Sequence, residues 1–435
     1  IGGRVTSSYD FRPSACQPHM PEPEVSLYDS TFNTETLGRM INAHDFHKYS
    51  SPSTPLNKNS EISAAVHLVS TGFNAPPLKS YALRGKTIYQ PADLPTNLVL
   101  RKITSNIERV TRVKQQNRLD ILRRISGLCK EGVPFCVHKI DIKSFYESIQ
   151  RESLLQSLQG DLPSSPTTLK LLTSFFKSLT AQGITGLPRG LGISATLSEY
   201  LLRDFDRSVR SLQDVDFYAR YVDDILVISR NIDHAKRLQC KIIELLPSGL
   251  SSNQKKTKYL IFPDTKSTSS DSKRFDFLGH SFLVPGLSGK IAKRVVKVDI
   301  AEQKIKKIKT RLIKSIQQYN KDLTFSELEK RIRILTSNYY FYDYKSERYR
   351  GSGIYHNYQL IDASSESLVH LDSFLRHALT SGKGKIFHTF KTSTSNHARS
   401  RLLKYSFQRS FEKRIHFSFK NDELNSLMRC WKYVI

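Results

Sequence analysis

Hydrophobic positions along this chain change period several times, and each change marks an element. Over Leu98 to Glu131, "RKITSNIERVTRVKQQNRLDILRRISGLCKEG" has a helical, basic pattern. Leu119, Leu122, Ile125 and Leu128 share one face, and "KEG" ends the segment. "PFCVHKIDI" is a short continuous apolar run, as in a buried strand, and "SFYESIQRESLLQSLQ" returns to helical period. "SLTAQGITGLPRGLGISATLSEYLLRDFD" sets a glycine-rich loop before a helix starting near Ser194. In "FYARYVDDILVIS" two β-prone runs flank Asp223 and Asp224, a hairpin pattern. A helix over Asp233 to Leu246 follows, then a turn and strand in "SSNQKKTKYLIF", a mobile loop "STSSDSKR" and a strand "FDFLGHSFLV". From Asp299 to Tyr319, Ile305, Ile308, Leu312 and Ile316 form one helical face, with the lysines mostly elsewhere. A second helix runs through Leu328, Ile332 and Leu335, and no internal repeat is visible.

The two ends differ from this middle. Residues 1 to about 60 are rich in Pro, Ser, Thr and Asn; "CQPHMPEPE" and "SSPSTPLNKNS" read as loops of a wrapping arm. Towards the other end, "NYYFYDYKSERYRGSGIYHNY" packs tyrosines among basic residues, and "RLLKYSFQRSFEKRIHFSFKNDELNSLMRCWKY" reads as helical and basic-aromatic. Two readings stand for this region: a surface for single-stranded nucleic acid, or a packed helical domain with surface lysines.

Charge sharpens the choice of partner. Lys and Arg number 67 against 40 acidic residues, a net charge of +27, which points to nucleic acid ahead of an acidic membrane surface. A length of 435 residues suggests two or three packed units. Cys16, Cys129, Cys136, Cys240 and Cys430 are scattered, with no C-x-x-C pair. That argues against a disulfide framework or zinc site, and for a reducing, cytoplasmic setting. No apolar run approaches the ~20 residues of a membrane span, and no signal sequence is evident. The chain begins at Ile1, so its true start is left open.

Adjacent carboxylates repel, and apolar strands usually exclude them. Asp141, at the end of the buried run, is also costly there unless paired or metal-bound, although alone it equally fits a helix N-cap. Three carboxylates on neighbouring strand ends can hold two Mg²⁺ ions ~3.5–4 Å apart, which activate a 3′-hydroxyl and stabilise leaving pyrophosphate. The ions would also offset the repulsion of Asp223 and Asp224; without them one carboxylate should have a raised pKa.

In their order, the blocks from about Leu98 to Tyr340 resemble reverse transcriptases. "KIDIKSFYESI" and "YVDD" look like the two catalytic blocks, and "GLPRGLGISATLSEYLL" like the substrate-and-template block. "LSSNQKKTKYLIF" resembles the lysine block and "FLGHSF" the primer-grip hairpin. The resemblance implies an α+β right-hand polymerase of fingers, palm and thumb, with an antiparallel palm sheet and a C-terminal helical region. Its divisions would be an arm over 1–60, fingers and palm over 61–290, thumb helices over 291–345 and a basic aromatic region over 346–435.

By the same resemblance Asp141, Asp223 and Asp224 are catalytic metal ligands, with the Ile142 carbonyl, for two Mg²⁺ ions or Mn²⁺ in their place. Tyr146 matches the aromatic that blocks a ribose 2′-hydroxyl, and Lys256 the lysine near the triphosphate. Gly190, Gly192 and Ser194 match the loop that lets base and template approach, and Arg112, Lys114 and Arg118 are finger candidates for the triphosphate. From the residues alone, Tyr146 also fits a core aromatic and Lys256 a solvated lysine. One departure concerns the template: the family usually reads "LPQG", and here Arg189 makes it "LPRG". A guanidinium there can hold a base or phosphate, or simply pair with a nearby acid.

"SFYESI", "PRGLGISATLSEYLLRDFD" and the tail look most like bacterial defence-associated reverse transcriptases of the unknown-group and abortive-infection kind. Within these the match is to the second polymerase of the two-enzyme type 3 system. That implies antiphage, RNA-directed or non-templated DNA synthesis from dNTPs. Its partners would be a non-coding RNA, the DNA product, a second reverse transcriptase subunit and further copies of the chain, with no membrane. The alternative is a retron or group II intron-like enzyme tied to a structured RNA.

Overall fold

One four-stranded sheet separates two hydrophobic cores, and its strands feed both. In β5 the alternation is complete: Ile225 and Val227 enter one core, Leu226 and Ile228 the other. A strand buried on both faces reads as a continuous apolar run, which is why "PFCVHKI" shows no polar alternation. The computed structural model describes residues 28–50, 55–74, 76–83, 85–161, 165–262, 272–286, 294–343, 348–362 and 365–432. Most of the expected arm, residues 1–27 and 51–54, lies outside them, as do residues 267–271 of the expected mobile loop.

The chain opens with α1 (Thr34–Gly38), α2 (Ala43–Tyr49) and α3 (Lys58–Thr71), then a hairpin of β1 (Leu78–Leu83) and β2 (Lys86–Pro91). Helices α4 (Leu94–Thr111) and α5 (Arg118–Cys129) lead into β3 (Phe135–Asp141). After a 3-10 turn at Tyr146–Ser148 come α6 (Arg151–Asp161), α7 (Pro166–Ala181) and α8 (Gly192–Arg210). Next are β4 (Phe217–Tyr221), β5 (Asp224–Ser229), α9 (Ala235–Glu244) and β6 (Lys258–Phe262). The sheet order is β4-β5-β3-β6, all antiparallel, as expected of a palm.

A second sheet, β7 (Lys273–Phe277), β8 (His280–Val284) and β9 (Lys297–Ile300), shares one core with α10 (Glu302–Asp322) and α11 (Phe325–Thr336). Beyond these lie β10 (Asn338–Asp343), β11 (Arg348–Gly353), α12 (Ile354–Asn357), α13 (Glu366–Thr380), α14 (Lys385–Ser393) and α15 (Asn396–Leu402). The described chain ends with α16 (Phe407–Glu412), β12 (His416–Ser418), α17 (Asn421–Met428) and a 3-10 turn at Arg429–Trp431.

Several expectations change. The helical stretch from Leu98 to Glu131 is two helices, because Arg112 turns left-handed (φ 54°) and caps α4. Asp141 caps no helix: a 3-10 turn follows and α6 begins only at Arg151. "FDFLGHSFLV" is a hairpin, turning at Leu278 and Gly279, both with positive φ as a type I′ turn requires. Asp299 lies in β9, where its carboxylate accepts bonds from Ser365 Oγ (2.5 Å) and Ser367 N (3.2 Å) at the start of α13. The tyrosine-rich segment is a strand pair rather than helix. Its hairpin spans the expected division between 345 and 346, and β12 from the tail pairs with it in parallel.

Trp431 fastens the tail to α10. It is buried, its Nε1 donates to Ser315 Oγ at 3.0 Å, and the Arg311 guanidinium lies 5.6 Å from the ring. Trp431→Ala should lower the unfolding free energy by about 3–5 kcal/mol. Trp431→Phe, which keeps most of the volume, should cost clearly less. Denaturant melts of both variants check the order.

Candidate active site

The aspartate pair is set by a tight turn. Tyr221 and Asp224 are register partners across β4 and β5, so Val222 and Asp223 form a two-residue connection. Val222 has φ 60° while Asp223 does not, the pattern of a type II′ turn with valine where glycine usually sits. A left-handed backbone is costly for a β-branched residue. Arg220 holds the turn from below. Buried to 4% exposure, its guanidinium donates to the Val222 carbonyl (3.2 Å), to both Glu199 oxygens (3.1 and 2.7 Å) and to both Asp206 oxygens (2.8 Å each).

The third carboxylate arrives on the neighbouring strand. Asp141 lies opposite Asp224 in the β3–β5 register. The loop before β6 clamps this strand end: Asn253 N donates to Asp141 O (2.7 Å), Lys143 N to Ser251 O (2.9 Å), and Ile142 bridges Ser252. Burial and the Asp223 charge hold the Asp224 carboxyl above the usual range, with Asp141 adding to the push and Lys139 and Lys256 opposing it. Lys256 Nζ stands 3.2 Å from Asp141 Oδ1 with its own side chain 65% exposed. The donor set suits a hard cation in kind and in strand placement. With Asp141 turned to Lys256, however, the described side chains do not converge as a ligand set of three.

A cavity of about 490 Å³ opens here, lined by Asp141, Asp223, Lys256, Arg189 and, from the β1–β2 hairpin, Lys86 and Tyr89. Ile142 borders it too. Arg189 does not point freely into a template path. It forms a two-pronged ion pair with Glu147 (2.5 and 2.8 Å) and lies 5.2 Å above the Tyr146 ring. The guanidinium holds the Glu147 carboxyl below its ordinary pKa. Tyr146 lies close enough to Asp223 to feel its charge, and burial first, then that charge, raises its hydroxyl pKa.

Gly190 has φ +100°, and a Cβ there would come within 2.7 Å of Tyr89 O. Beside it Tyr89 N donates to Arg189 O at 2.8 Å, which binds the loop to β2. Gly190 and Gly192, the first residue of α8, border a second hollow of about 550 Å³ with Arg101 and Glu108. Ser194 is buried and donates to Pro188 O at 2.7 Å, closing the loop on itself.

The finger candidates lie away from the cavity. Arg112 is the exposed cap of α4, and Lys114 is exposed in the loop beyond it. Arg118 is spent on the β7–β8 hairpin, donating from Nε and Nη2 to Leu278 O (3.2 and 2.5 Å). None of the three lines the cavity, because the chain turns away at Arg112. The basic residue that does enter from this side is Lys86. "YALRGKTIY" carried its signal, a glycine turn between β-prone runs with a lysine at the tip. Arg220 and Glu147 were also missed; an arginine inside an apolar strand pattern marks the first.

The strain at Val222 gives a test. Alanine normally outranks glycine in stability. Here Val222→Gly should be more stable than Val222→Ala by about 1 kcal/mol, because only glycine relieves the left-handed backbone. Thermal melts of the two variants check the inversion.

Known proteins share part of this chain's pattern. Residues 96–282 match the family described as reverse transcriptase (RNA-dependent DNA polymerase). Among solved structures, the chain is similar to apo telomerase from Candida tropicalis truncated from its C-terminal domain, at 15% identity and a TM-score of 0.37. The match covers 55% of this chain and 60% of that one, less than two thirds of its length. No curated protein sequence matches. Over residues 96–282 the chain is thus similar to reverse transcriptases, and its helices and antiparallel sheets fit the fold of a right-hand polymerase.

Proposed function

We propose that this chain is an RNA-directed DNA polymerase that consumes dNTPs, with Asp141, Asp223 and Asp224 as its catalytic carboxylates. The observation that carries the reading is the β3–β5 register, which sets Asp141 against Asp224 with Asp223 in the adjoining turn, beside a cavity edged by Lys86 and Lys256. Two bound Mg²⁺ ions, or Mn²⁺, would supply Lewis acidity to the attacking hydroxyl and the leaving pyrophosphate. The three aspartates and the Ile142 carbonyl would hold them, once Asp141 exchanges Lys256 for a metal. Lys256 and Lys86 are then placed to meet triphosphate oxygens. Tyr146, fixed under Arg189, would stand where a 2′-hydroxyl is refused.

Arg189 takes a positioning role in this reading. Its ion pair with Glu147 stiffens the loop over Tyr146. The finer reading rests on the sequence blocks: an antiphage polymerase of the bacterial cytoplasm, working with a non-coding RNA and a second reverse transcriptase subunit. Phage plating on cells carrying the wild type or Asp223→Asn tests it; equal plaque counts would remove the defence role.

Primer extension on an RNA template tests the chemistry. Asp223→Asn should reduce dNTP incorporation by on the order of 10³-fold or more, with little change in melting temperature. Undiminished synthesis would reject the assignment. Tyr146→Ala should raise the rNTP-to-dNTP incorporation ratio roughly 10- to 100-fold. An unmoved ratio would return Tyr146 to the core.

A further inference from the structure

The C-terminal sheet has two unlike faces. On one, Tyr339 and Phe341 of β10 pack towards the thumb core, and Tyr339 meets Phe419 edge-on at 6.1 Å. The other face carries the even-numbered residues, and it is aromatic as well. Tyr340 is 49% exposed and Tyr349, the register partner of Tyr342, is 74% exposed. Tyr340 stacks on His416 of β12 with centroids 5.0 Å apart and planes 8° from parallel. His356 meets the same ring at 5.6 Å.

These rings are held in place rather than loosely displayed. His416 Nδ1 must donate to the Arg414 carbonyl at 2.5 Å, since a carbonyl only accepts. With the ring neutral, its Nε2 accepts from His356 Nε2, 2.9 Å away. Gly351, opposite Tyr340, leaves room for His356: a Cβ there would fall 2.5 Å from the imidazole. Arg414 and Lys420, both exposed, stand on either side of β12 in the sequence, and the Arg414 guanidinium lies 4.5 Å from the Tyr355 ring next to His356, in a chain of net charge +27.

We propose that this open face, centred on Tyr340, Tyr349 and His416, is a binding platform for single-stranded nucleic acid, separate from the polymerase cavity. Large aromatics on a solvent-facing sheet add little to the fold, whereas flat rings can continue a stack of unpaired bases while neighbouring guanidinium and ammonium groups track the phosphates. A duplex hides its base faces and cannot stack there. The proposal extends the polymerase reading by adding a second nucleic-acid surface, but its test needs no polymerisation.

The sequence has a single tryptophan, Trp431, and it is buried, so Tyr349→Trp places a local reporter on the platform. The full-length variant is titrated with a 12-nucleotide oligo(rA) in EDTA, with the wild type as baseline, and separately with the oligo(rA)·oligo(U) duplex. Single strand should quench the introduced indole, more strongly than duplex at equal concentration, and added salt should weaken the effect. Adding Tyr340→Ala should raise the midpoint roughly tenfold, while Tyr340→Phe, which keeps the ring, should leave it nearly unchanged. An indole indifferent to single strand up to roughly 0.1 mM, or a midpoint equal in the alanine and phenylalanine variants, would overturn the proposal. Loss of incorporation in Asp223→Asn without loss of quenching separates the two surfaces.

Discussion

The Arg220 guanidinium is the point through which the site is held in register. It is buried between α8 and the β4–β5 turn, and it satisfies two carboxylates and one turn carbonyl at once. Removing one member of a buried ion network leaves a charge without a partner, at a cost of about 3–5 kcal/mol. Glu199 and Asp206 both lie on α8, whose first residue ends the glycine loop. One side chain therefore fixes the helix that carries the loop against the hairpin that carries Asp223. Tyr218 adds a hydroxyl to the same Asp206 carboxylate, so the anchor reaches a second residue of β4. A strained valine turn and a repelling aspartate pair persist because this network determines the backbone around them.

The glycine loop is built by close approach rather than by side chains. Gly186 has φ +58°, and a Cβ there would meet the Tyr146 carbonyl at 2.3 Å. Leu187 N donates to that same carbonyl at 2.8 Å, and Tyr89 N to Arg189 O. The loop is thus tied to the 3-10 turn on one side and to β2 on the other. Arg189 comes out within reach of Glu147 as a consequence, and the ion pair closes over Tyr146. The cavity has walls because three distant segments share backbone hydrogen bonds, and a change in any of them moves the other two.

Much of this was legible where one physical rule dominated. Burial on both faces made β3 visible as an apolar run, and the 3.6 period showed α8 and α10. Asp141, Asp223 and Asp224 stood out because unpaired carboxylates are expensive in such surroundings. What failed lacked a local signal. Arg112 breaks a helix without glycine or proline. Arg118 has its partner 160 residues away, at Leu278, so no pattern around it could show that it was already engaged. The Arg189–Glu147 pair spans 42 residues and was open as an alternative only in general form.

The tyrosine-rich segment shows why composition alone misled. Aromatic residues favour strands, yet the expected divisions set this segment across the end of the thumb helices and the start of the C-terminal helical region. The register settles the question by parity. Odd positions 339 and 341 turn to the core and even positions 340 and 342 turn away, so one residue type meets two environments within a single strand. Elsewhere half-buried and buried tyrosines earn their place through the hydroxyl: Tyr200 donates to Asp161 at 2.6 Å and Tyr405 to Glu329 at 2.7 Å. Tyr340 and Tyr349 present ring area to solvent instead. Aromatic area on a sheet whose other face already supplies the packing is not required for folding, and what such rings can recognise is another flat, unpaired ring.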